Sequence, residues 1–139
     1  MTTVVRPLHF IREGRRTKAA SAPKAAKPAR PARVPRVARL MALAIEFEKM
    51  LRKGVVGDHT ELARLCNVTQ PRMTQIMNLL HLAPDLQESL LFLPPVVHGH
   101  DPITERHLRK VTTTVHWVSQ RSLWNELTGE VALVDQSTR

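Results

Sequence analysis

Between Thr69 and Asn78 the chain carries six polar side chains and no acid: Thr69, Gln70, Arg72, Thr74, Gln75 and Asn78. A primary amide sets an acceptor beside two donors, and a guanidinium presents a planar fork of N–H groups. These groups match the edges of bases. Gln or Asn pairs bidentately with adenine, Arg with guanine, and Thr meets either edge or a phosphate. Any solvated helix face is polar, so the set alone decides little. Its surroundings in the sequence decide more.

Those residues need a frame, and the stretch from Asp58 to Leu80 supplies one. Leu62, Ala63 and Cys66 are apolar or small at helical spacing, and Met73, Ile76, Met77 and Leu80 repeat that spacing further on. Asn67 falls between the two runs, where the chain must reverse, and Asn tolerates the left-handed conformation. Asp58 and Glu61 have the spacing of a capping box for the first helix. Thr69 is a suitable cap for the second, with Pro71 in its first turn. This is the pattern of a helix-turn-helix. Ala63 would lie at the close crossing, Cys66 on the buried side, and Val68, Met73 and Ile76 would face the core. The second helix, residues 70–80, would then present its acid-free face to a DNA major groove.

The run ELARLCNVTQPRMTQIMNLLHLAPDLQESLL resembles the helix-turn-helix segment of ParB/KorB-type partition and repressor proteins. In that family the recognition helix runs into an LL-x-L-P step and then a further short helix. Here the match is Leu79, Leu80, Leu82 and Pro84, with Asp85 to Leu91 following. The likeness covers residues 37 to 111 and implies a helical DNA-binding domain. The arginine-rich GERR-type motif of that family's nucleotide-binding domain is missing. Gly14 to Arg16 lie in a low-complexity arm and do not replace it, so the resemblance does not imply partition activity. A similar segment also occurs in small regulators of phages and mobile elements.

Charge is distributed unevenly. Residues 1 to 36 hold ten Lys or Arg and one acid, whereas residues 37 to 139 hold eleven of each sign. A neutral domain with a cationic arm suits a polyanionic partner. Pro at 23, 28, 31 and 35 blocks a regular helix across AASAPKAAKPARPARVPR. The arm is expected to be largely disordered and to place Arg30, Arg33 and Arg36 on phosphates or in a minor groove. A solvated linker is the competing reading. Val4, Val5, Leu8, Phe10 and Ile11 could form an extended segment, but no partner strand is evident. Cys66 is the single cysteine, so no internal disulfide forms. Neither a signal peptide nor a membrane-spanning run is legible. A cytoplasmic, nucleoid-associated setting is expected.

The remaining elements follow in order. Leu40, Ala44, Phe47 and Leu51 form one apolar stripe, which Gly54 ends. Pro84 starts a short helix with Leu86, Leu90 and Leu93, closed by Pro94 and Pro95. Asp101-Pro102 reads as a cap for a fifth helix with Ile103, Leu108 and Val111. A last helix is expected from Val115 to Leu127, with Trp117 and Trp124 near one side. Residues 128 to 139 read as a tail. The domains are therefore 1–36, 37–127 and 128–139, and the fold class is an all-α small helical bundle containing a helix-turn-helix. His98, His100, His107 and Asp101 cluster, but their spacing matches no zinc motif. No catalytic triad and no phosphate loop is legible, so no enzyme and no cofactor are expected. The partner is expected to be double-stranded DNA. A homodimer through the Trp helix, and a protein partner such as a recombinase, stay open on the sequence. The rival function is a protein-interaction accessory module that uses the same helices as a scaffold.

Overall fold

The computed structural model describes residues 8–13, 16–21 and 31–136, with side chains from 31 to 132. The chain divides into two compact units, and the division falls in the sequence between Pro31 and Ala32. In the first unit, β1 (Leu8–Glu13) pairs antiparallel with β2 (Arg16–Ser21), in register from Leu8 opposite Ser21 to Glu13 opposite Arg16. This corrects the expectation of an extended segment without a partner. The partner strand, RTKAAS, has one β-branched residue, Thr17, and so gives little strand signal. Residues 22 to 30 of the arm, Arg30 included, lie outside the described residues.

The second unit is all-α, a small helical bundle. Its helices are α1 (Arg36–Arg52), α2 (His59–Leu65), α3 (Gln70–Met77), α4 (Pro84–Leu91), α5 (Glu105–Thr113) and α6 (Trp117–Gln136), with a 3-10 turn at Asn78–His81. The apolar stripe of α1 buries Val37, Met41, Ala44 and Phe47 against α3 and α4. Gly54 adopts a left-handed φ of 66°, and its N–H returns to the Leu51 carbonyl, which ends the helix. The core joins Met41, Leu62, Met73, Leu82, Leu90, Leu108 and Trp124.

Two glutamines hold the step from the 3-10 turn into α4. Gln120 of α6 is fully buried. Its Oε1 accepts from the Ala83 N–H at 2.8 Å, and its Nε2 donates to the carbonyls of His81 (3.1 Å) and Thr114 (2.7 Å). Gln87 Nε2 donates to the carbonyls of Leu80 (3.0 Å) and Leu82 (2.8 Å). Each of the four residues from Leu80 to Ala83, where the 3-10 turn gives way to α4, thus has one backbone polar group satisfied by a side chain. On the surface, Arg121 of α6 clasps Asp85 of α4 through Nε (2.8 Å) and NH2 (3.0 Å). The hydrogen bond from Arg121 holds the Asp85 carboxyl below its ordinary range, and Asp85 raises the Arg121 guanidinium in return.

Several expected boundaries move. Thr104, not Asp101, caps α5, in a capping box with the His107 ring. Asp101 serves α1 instead: its Oδ2 accepts from the Arg36 N–H at 2.8 Å, where an anion complements the helix N-terminus. Its Oδ1 lies 2.6 Å from Arg33 NH1, paired by charge without the alignment of a hydrogen bond. Arg33 also makes a two-bond bridge with Val96 and donates to the Gly99 carbonyl. The folded unit therefore begins about four residues before Arg36, and Arg33 and Arg36 belong to it rather than to an arm. Helix α6 runs past Leu127 to Gln136, through the expected tail. Cys66 is exposed, because α2 ends at Leu65 and the chain is already turning away from the core.

Candidate nucleic-acid interface

Helices α2 and α3 are joined by a tight turn with local chemistry at every joint. The Asp58 side chain accepts from the Glu61 N–H at 2.7 Å, and Glu61 reaches back to the Gly57 N–H at 2.8 Å. Asn67 takes a left-handed φ of 53°. Thr69 caps α3 through the Arg72 N–H, at 3.4 Å. Ala63 is buried beneath the pair, and Met73, Ile76 and Met77 lock one side of α3 into the core. The opposite side is thereby forced outward.

Thr69, Gln70, Thr74 and Gln75 are exposed on that outward side. Gln70 Nε2 donates to Thr60 Oγ1 of α2 at 2.6 Å, tying the start of α3 to α2. Thr74 Oγ1 returns to the Gln70 carbonyl. Asn78 is half-buried and stands at the C-cap of α3. The helix expected over residues 70–80 stops at Met77, and the chain tightens into the 3-10 turn, which buries Leu79. Asn78 is therefore set apart from the N-terminal group.

Arg72 is the residue whose setting the sequence did not reveal. Its NH1 donates to Glu105 Oε1 of α5 and to Gln75 Oε1, the latter at 3.1 Å. The face of α3 is free of acids in sequence, yet the fold places an acid beside it. Glu105 is 33 residues away along the chain, so no local pattern could have flagged it. Arg109 follows Glu105 by one helical turn on the same side of α5 and is exposed, as are Arg106 and Lys110. Among the described residues none of these three has an ion-pair partner.

The other candidates scatter. Arg33 is engaged with Asp101 and Gly99, Arg36 opens α1, and Arg30 lies outside the described residues. Among the described residues no three His, Cys, Asp or Glu side chains gather as metal ligands. Trp117 and Trp124 do not act together. Trp124 is in the core, whereas Trp117 is half exposed beside the exposed Val115 and Val118. No described helix is long and apolar enough to cross a membrane. No protein-family model matches the chain, and neither does any curated protein or solved structure.

Proposed function

We propose that the protein is a sequence-specific binder of double-stranded DNA, a transcriptional or mobile-element regulator with α3 as its recognition helix. The observation that carries this reading is the division of α3. One side is fixed in the core by Met73, Ile76 and Met77, and the other offers Thr69, Gln70, Arg72, Thr74 and Gln75 outward. A short helix held this rigidly, with its polar groups near its N-terminal end, suits a major groove. The ParB/KorB resemblance, the exposed cations of α5 and the basic N-terminal arm support the same reading. With the arm taken as residues 1 to 31, it still holds eight Lys or Arg against one acid.

Enrichment of a binding site from random duplexes, followed by competition against random DNA at fixed salt, tests it. Arg72→Ala or Gln75→Ala is expected to cost about 1–3 kcal/mol on the enriched site and little on random DNA. Equal losses on both would assign these side chains to phosphates. The rival reading, a protein-interaction module, rests on the exposed Val115, Trp117 and Val118, and it predicts that no sequence is enriched.

A further inference from the structure

We infer that Glu105 is a specificity-determining residue, which holds Arg72 in place to read a base edge instead of a phosphate. The inference rests on α3 being the recognition helix. A guanidinium carries five N–H donors: two on each terminal nitrogen and one on Nε. Both NH1 hydrogens of Arg72 are committed, one to Glu105 and one to Gln75. Nε and NH2 have no partner among the described residues. What remains is one planar edge with two parallel donors, the shape that fits the O6 and N7 acceptors of guanine.

The position of the pair strengthens the point. Both side chains are less than a third exposed, at 27% and 29%, so solvent screens the contact less than at an open surface. An unrestrained Arg must lose several rotamers on binding, and one already pinned has lost them in the free protein. Charge works in the same direction. Glu105 cancels the positive charge of Arg72, so the pair adds no net attraction for phosphates. A carboxylate beside the groove-facing helix also repels a backbone that approaches out of register. Arg72 then contributes through directional hydrogen bonds, which only the right base completes.

The experiment compares wild type, Glu105→Gln and Glu105→Asp on the enriched site and on random DNA, at two salt concentrations, with thermal unfolding of each. Glu105→Gln is expected to bind random DNA more tightly and to lose discrimination by roughly fivefold to a hundredfold. Glu105→Asp keeps the charge but is one methylene shorter. It is expected to lose discrimination without the gain on random DNA, and it serves as the test should the Gln variant fail to fold. In an Arg72→Ala background, Glu105→Gln is expected to change discrimination no further. Equal tightening on both DNAs, with the ratio kept, would reduce Glu105 to a repulsive charge and overturn the inference. So would a loss of discrimination that persists without Arg72. A wild-type protein that enriches no sequence overturns the DNA reading together with this one. A protein that enriches a sequence, and whose Glu105 variants all keep its discrimination, overturns the role of Glu105 alone.

Discussion

A single buried amide does as much for this fold as any apolar side chain. From within the core, Gln120 satisfies the buried Ala83 N–H and the part-buried carbonyls of His81 and Thr114. Replacing it with Leu keeps the volume but strands the buried Ala83 N–H, which costs about 1–3 kcal/mol, and removes two further bonds to part-buried carbonyls. Gln120→Leu is thus expected to lower stability by about 2 kcal/mol or more, read from chemical denaturation, while Gln120→Glu retains only the acceptor. Nothing in the sequence distinguishes Gln120 from Gln70 or Gln75, because a glutamine's role is set by which backbone groups the fold leaves unserved. Asn67 is the opposite case. Its left-handed φ was legible, since the chain had to reverse within a few residues and Asn was the one residue there that tolerates it.

Among the elements, those closed by local signals were the legible ones. Helix α1 announced itself by its stripe and Gly54, α2 by Asp58 and Glu61, and α3 by Thr69 and Pro71. One misplaced boundary has a tertiary cause. Asp101-Pro102 has the form of a helix cap, but a tertiary partner, the N-terminus of α1, claims the carboxylate, so α5 starts at Thr104. At the end of α5 the hydroxyls of Thr112, Thr113 and Thr114 bond back to the Arg109 and Lys110 carbonyls. Where α4 meets α6, the Asp85–Arg121 pair gives the docking a pH dependence. The Asp85 carboxyl is held below its ordinary range in the folded chain, so the contribution is present above that range and fades as pH falls through the depressed value. Melting of wild type and of Arg121→Gln is expected to differ slightly at neutral pH. The two are expected to begin to converge below about pH 4, where Asp85 of the unfolded chain takes its proton, and to coincide once pH lies below the depressed folded value. The gap is small because both side chains are solvent-exposed.

For the whole molecule, the division of charge matters more than the total of +9. The unit from Ala32 onward carries thirteen Lys or Arg against eleven acids, so nearly all the excess lies before it. Removing residues 1 to 31 is expected to weaken binding to every DNA sequence alike. It should also flatten the slope of log affinity against log salt, by about 0.9 for each phosphate the arm no longer neutralises. An unchanged slope would make that segment a spacer. Residues 32 to 36, by contrast, are structural, since Arg33 and Arg36 are bound to the Val96–Asp101 loop.

The step between α3 and α4 also has a kinetic signature. Amide hydrogens outside helices and strands ordinarily exchange with solvent in short times, because nothing must open first. The Ala83 hydrogen is different: it sits fully buried and is held by a side chain from α6, 37 positions away. It can exchange only when α6 lifts from its seat or the whole unit unfolds. In deuterium oxide, Ala83 should therefore persist with the slow core amides of α1, while the amides of the exposed residues Val97 to His100 wash out early. Its lifetime would time the detachment of the last helix without any label being added.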